Sequence, residues 1–109
     1  MANENTETLE ILEISSPTDQ ELQVSYGERD ILFGLKWNDV LEQWTLDVRE
    51  QKEGVKYDLA LGVTMAINAN LLYDKFKLGK LYLIDTEPEN AAAVGKNDLG
   101  KRLALARVF

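Results

Sequence analysis

The sequence predicts a mainly β protein, a small antiparallel β-sandwich or barrel with one short helix. Three observations carry this. Ile31, Phe33, Leu35 and Trp37 alternate with other residues, and so do Trp44, Leu46 and Val48; period-two alternation marks a strand with one face in a core. Turn-forming Gly and Asn/Asp residues recur at intervals of about ten residues, the spacing of short antiparallel strands. Only one short helix, around Leu72 and Phe76, interrupts this pattern.

In chain order, residues 9–14 form a first strand. The spacing of Leu9, Ile11, Leu12 and Ile14 also suits one helical turn, but Ser15, Ser16 and Pro17 follow at once and leave no room for a stable helix. Residues 21–26 alternate and form a second strand, with a turn over 27–30. The hairpin over 31–50 comes next. Asn38 and Asp39 sit at its tip, where they tolerate left-handed backbone and bond their own main chain. This makes Trp37 and Trp44 a packed cross-strand pair. Residues 51–54 turn at Gly54, and 55–61 alternate again.

The pattern then changes. Residues 62–69 are apolar but irregular. Leu72 and Phe76 are four apart, which predicts a single helical turn capped by Asn68 or Asn70 and ended by Gly79. Residues 80–85 form a strand and 86–98 an acidic loop. Residues 101–109 are rich in helix formers, but the alternation of Leu103, Leu105 and Arg107 equally allows a strand. No internal repeat is present.

At 109 residues the chain is expected to hold one β-rich domain over 9–109, preceded by a flexible N-terminal arm over 1–8. The polar, acidic start lacks the basic and apolar regions of a signal peptide. The net charge of −7 disfavours nucleic-acid phosphates and anionic membranes as partners. The chain has no histidine and no cysteine. Nucleophilic sites that depend on either are excluded, as are nearly all zinc and copper sites. No phosphate-binding loop is present, and no cofactor is expected. Asp47, Asp58 and Asp85 are carboxylates on or ending strands, but alternation already explains each as facing solvent opposite Leu46, Leu59 or Ile84. The oxygen-rich run from Asp85 to Asn90 lacks the spacing of a calcium loop and is expected to be solvated.

The segment containing Trp37, Asn38, Asp39, Trp44, Leu46 and Asp47 resembles the central hairpin of the small baseplate plug proteins of contractile-tailed bacteriophages. An aromatic strand ends in a Trp-Asn pair, and a second strand ends in a Leu-Asp step. Asp98, Leu99 and Gly100, followed by Arg102 to Leu105, resemble that family's step into its last strand. Asn70 to Tyr73 and Gly79 to Leu83 resemble its intervening turn and strand. The resemblance extends over about residues 21–109 and settles the C-terminal segment as a strand.

It implies a structural virion protein of the tail baseplate, synthesised in the host cytoplasm, that plugs or bridges the central hub and tail tube without catalysis. The implied partners are hub, tube or sheath-proximal baseplate proteins and symmetry-related copies of the chain. Arg107, Val108 and Phe109 are candidate contacts, because a free apolar end can order against a neighbour. Two other classes make different demands. A carbohydrate-binding module would place Trp and Tyr on one exposed face. A carboxylate-based hydrolase would need a facing acid pair.

Overall fold

The computed structural model describes residues 8–15 and 17–109; of the expected arm, residues 1–7 lie outside this range. Among the described residues seven strands form: β1 (Leu9–Leu12), β2 (Gln20–Tyr26), β3 (Arg29–Asn38), β4 (Gln43–Lys52), β5 (Val55–Thr64), β6 (Lys80–Asp85) and β7 (Leu103–Val108). They build two antiparallel sheets, ordered β2-β3-β4-β5 and β1-β7-β6. Neither sheet closes on itself, so of the two architectures expected the open two-sheet form is the one present.

The core lies between the sheets. Ile31, Phe33, Leu35, Leu46 and Val48 come from one, and Leu81, Leu83, Leu103 and Leu105 from the other; all are at most 2% exposed. These are the alternating positions of each strand, which is why period-two spacing was sufficient to find them. Met65, Leu71, Leu72, Phe76 and Leu78, from the connection between β5 and β6, complete the same cluster.

The hairpin of β3 and β4 is in the expected register, with Trp37 opposite Trp44. Several boundaries differ from expectation. β1 stops at Leu12 instead of running to residue 14. The turn before β3 shortens to Gly27 and Glu28, because Arg29 already pairs with Tyr26. β5 runs on to Thr64, through residues whose apolarity looks irregular. The reason is a break in register: Leu46 pairs with Val63 while Val48 pairs with Ala60, and Arg49 then pairs with Asp58. Extra residues in β5 form bulges, Gly62 adopts a φ of +68°, and the alternation goes out of phase. The helical turn is a three-residue 3-10 turn, Asp74–Phe76, with no side-chain cap. Asn68 and Asn70 do not cap it. Asn70 Oδ1 instead accepts hydrogen bonds from the backbone of Leu72 and Leu81, both at 3.1 Å, and so fastens this connection to β6. A second 3-10 turn, Lys96–Asp98, ends the long loop.

Candidate interaction surface

The tip of the β3–β4 hairpin is ordered by one side chain. Asn38 Oδ1 accepts hydrogen bonds from the Val40 and Leu41 N–H groups, each at 3.0 Å, an Asx turn of the kind Asn favours. Asp19 Oδ1 accepts from the Trp37 N–H at 2.9 Å and braces the base. The braced tip holds Val40 88% and Leu41 62% exposed, with Asp39 beside them. Below it, the Trp37 and Trp44 rings meet edge to face at 5.6 Å and 66°. Trp44 is buried and Trp37 half-buried. A cavity of about 80 Å³ opens beside them between the sheets, lined also by Met65, Ile67, Leu83 and Leu103.

Burial of Trp44 removes it from any flat platform for a sugar. The fluorescence of Trp44 is therefore expected to be blue-shifted and insensitive to acrylamide, with Trp37 supplying the quenchable fraction. Two fully quenchable, red-shifted indoles would contradict this placement.

Asp47 lies on the outer face opposite Leu46, as expected, but Lys36 and Arg49 stand over it and it is only 7% exposed. Its neighbour across the ladder is Gly34, whose missing side chain leaves room; a Cβ there would lie 3.4 Å from Asp47 Cβ. On the other side, Asp47 Oδ1 accepts at 2.8 Å from the Gly62 N–H that the bulge takes out of the ladder. Lys36 Nζ sits 3.2 Å from Oδ2, and Arg49 lies at 3.9 Å while pairing with Asp58 at 2.7 Å. Burial opposes ionisation, but the Gly62 N–H and the two cations outweigh it and hold the carboxyl below the usual aspartate range. Asp47 thus stabilises a bulge. Asp47→Ala would remove the protein partner of the Gly62 N–H, which water can then reach, a loss of about 1 kcal/mol. Asp47→Asn keeps an acceptor there, and about half that loss is expected in urea denaturation. Equal losses for the two variants would contradict the role given to the Gly62 bond.

Arg102 is the residue that sequence reasoning missed. Its guanidinium forms a bidentate pair with Asp85 at 2.8 and 2.9 Å. It also donates to the carbonyl oxygens of Ala92 at 2.6 Å and Asn90 at 3.0 Å. The oxygen-rich loop is therefore gathered around an internal cation. Asp98 Oδ2 closes the loop by accepting from the Gly95 N–H at 2.7 Å. Leu99 is fully buried, and Gly100, at a φ of +81°, turns the chain against Ile14 and into β7.

At the other end of the sandwich, Arg107 straps the sheets together. It pairs with Glu10 on β1 and donates to the Ser25 carbonyl on β2 at 2.9 Å. Its guanidinium lies 4.6 Å from the Tyr26 ring centroid and 4.0 Å from that of Phe109. Arg107 is buried and Val108 half-buried; Phe109 is 49% exposed, with its backbone paired to Thr8. A third strap joins Arg29 to buried Glu50 at 2.8 and 2.9 Å, and to the Phe76 carbonyl at 2.7 Å.

These pairs make stability depend on pH. The Arg29 hydrogen bonds lower the Glu50 pKa from its ordinary 4.5, and the Arg102 hydrogen bonds lower that of Asp85 from 3.8, in the same direction as Asp47. A carboxyl with a depressed pKa in the folded state contributes fully above its unfolded pKa and loses that contribution as pH falls through the folded one. Protonation also relieves repulsion within a chain of net charge −7, but exposed charges are well screened at about 0.15 M salt. The urea midpoint should stay level from about pH 7 to about pH 5 and fall below about pH 4. A midpoint that rises on acidification would contradict these pairings.

No curated protein matches this chain closely enough to count as a relative. The model of one family, described as the cyanophage baseplate Pam3 plug gp18, matches residues 9–108. That span takes in the hairpin, the bulge and all three arginine straps, from the first residue of β1 to the last of β7. The chain therefore belongs to this family of phage baseplate plug proteins, structural components of the virion's tail baseplate.

Proposed function

We propose that this chain plugs the centre of the baseplate, bridging the hub and the start of the tail tube through protein–protein contacts and without catalysis. The family match over nearly the whole chain carries this reading. The fold supports it. Asp47, Asp58 and Asp85 are each engaged by an arginine, so the carboxylates that a hydrolase would need already serve internal ion pairs. The contact elements are the braced Val40–Leu41 tip, the exposed ring of Phe109 and the arm over residues 1–8. Hub, tube or sheath-proximal proteins and further copies of the chain are the neighbours. The chain is synthesised in the host cytoplasm and joins the tail there.

Mass spectrometry of purified tails is the test. The chain should be present at a fixed ratio to the other baseplate proteins, and loss of its gene should abolish complete tails. Infectious tails assembled at normal yield without it would overturn the proposal.

A further inference from the structure

β5 is the strand with the least cover. None of its ten residues is buried, and Val55 is 49%, Tyr57 51% and Leu61 54% exposed. It ends the order β2-β3-β4-β5, with β4 as its ladder neighbour. The other outer strands are shielded or short. The free side of β6 is taken by the connection before it: Asn68 N–H donates to the Leu83 carbonyl and Leu71 N–H to the Leu81 carbonyl, each at 2.9 Å, and Asn70 Oδ1 takes the Leu81 N–H. β1 is four residues long. On β2 the Ser25 carbonyl already accepts from Arg107. Among the described residues nothing comparable covers the first half of β5.

The turn before β5 fixes which of its backbone groups stay open. Lys52 and Val55 flank a two-residue turn, Glu53 and Gly54, whose φ angles of +52° and +78° are both positive. Such a closing pair exchanges both of its hydrogen bonds. Bonded pairs alternate along an antiparallel ladder, so Tyr57 bonds Glu50 as well. Lys56 and Asp58 then turn their N–H and C=O groups to the open edge. Side chains alternate too. Val55 and Tyr57 lie on the core side, beyond the rim of the core, while Lys56 and Asp58 lie on the outer side, held by Glu21 and Arg49.

We infer that the edge from Val55 to Asp58 takes an extended segment of a different baseplate protein as an added strand, an inference that rests on the plug reading and names one contact through which it works. A row of open main-chain donors and acceptors is met in full by another extended backbone; a helix, whose own backbone groups are already paired, cannot meet it. An added strand sets alternate residues beside Val55 and Tyr57, which selects apolar ones. Charge selects against a second copy, since two chains of −7 repel. The groove that begins at the same turn carries Glu28, Asp30 and Glu53 around Lys52 and the Arg29–Glu50 pair, an acidic excess. A segment of alternating apolar residues, with a basic side chain where it passes the turn, fits both the edge and the groove. The bulges beyond Asp58 bend the rest of β5 out of a flat edge. They confine the pairing to this short stretch and keep β5 from joining any strand it meets.

Hydrogen exchange read by mass spectrometry, on the free chain and on purified tails, is the test. In the free chain the Lys56 and Asp58 amides should exchange as open groups, while β4 holds those of Val55 and Tyr57. In tails the Lys56 and Asp58 amides should slow on the order of a hundredfold or more. Asp58→Pro removes the open N–H and sets a ring in its place, at an edge position where proline is tolerated. It should cut incorporation into tails roughly tenfold or more, whereas Asp58→Ala, which keeps the N–H, should incorporate at nearly the wild-type level. Thermal unfolding shows whether the proline variant is folded; the wild-type exchange contrast decides the matter even if it is not. Wild-type amides that exchange in tails as they do in the free chain, or a folded Asp58→Pro that incorporates normally, would overturn the inference. So would protection of these amides in the free chain as its concentration rises from about 10 μM to about 1 mM, because the occupant would then be a second copy. The chain's presence in tails is read separately. A chain present there with open amides sinks only this contact; a chain absent from tails sinks the plug reading and this contact with it.

Discussion

Trp44→Ala should destabilise the domain by about 3–5 kcal/mol, the range for removing a large buried aromatic. Trp44 is 3% exposed and borders an existing cavity of about 80 Å³. Removing the indole would enlarge that hole between two sheets whose backbones are fixed by their ladders, so little relaxation is available. Against a total stability of about 5–15 kcal/mol for a domain of this size, the variant should be marginal at 37 °C. Trp37→Ala should cost less, because Trp37 is only half-buried. A double-mutant cycle should give a coupling of about 0.5–1.5 kcal/mol for the edge-to-face contact. Urea denaturation followed by circular dichroism measures all three. A loss under 1 kcal/mol for Trp44→Ala would mean that the pair is not seated in the core.

Gly79→Ala should cost about 2–4 kcal/mol although it adds a single methyl group. Gly79 has a φ of +70°, where a side chain costs about 1–2 kcal/mol. A Cβ there would also lie 2.3 Å from the Val108 carbonyl oxygen and 3.3 Å from Phe109 Cα. Both neighbours are backbone, Val108 fixed by the β6–β7 ladder and Phe109 by its pairing with Thr8, so they cannot swing aside; overpacking of this kind adds about 1–3 kcal/mol. The effect should appear as a lower urea midpoint and as loosening of the C-terminal end of β7. Gly27→Ala is the control. Gly27 has a φ of +65° but open space around its Cβ, so it should show the conformational cost without the clash. Equal costs at the two glycines would place the strain in φ alone.

Much of this architecture was legible from residue spacing. The hairpin register, the Trp pair and the inward rows of β3, β4, β6 and β7 follow from period-two alternation, because one side of each strand is buried and the other is not. The full length of β5 was not legible. Bulges shift its phase, and a shifted phase looks like no phase when each residue is read singly. Burial of Asp47 escaped for the same reason: it depends on Gly34 and Gly62, which only pairing brings beside it. The Arg102 cage could not be read from a pattern either. Its partners are Asp85 and two backbone carbonyls in a loop without periodicity, and carbonyls are present at every residue. The nearest signal was an arginine directly before the last strand with an aspartate ending the strand beside it. The family resemblance, by contrast, settled what propensity left open. Residues 103–108 are rich in helix formers, yet they lie as the central strand of their sheet.

Electron microscopy of purified tails, resolved well enough to trace strands at the tip, addresses the functional account most directly. It should show a domain of two sheets, ordered β2-β3-β4-β5 and β1-β7-β6, at the centre of the baseplate. Its hairpin tip should lie against a neighbouring protein. Complete tail tips with no such domain at their centre would contradict the account.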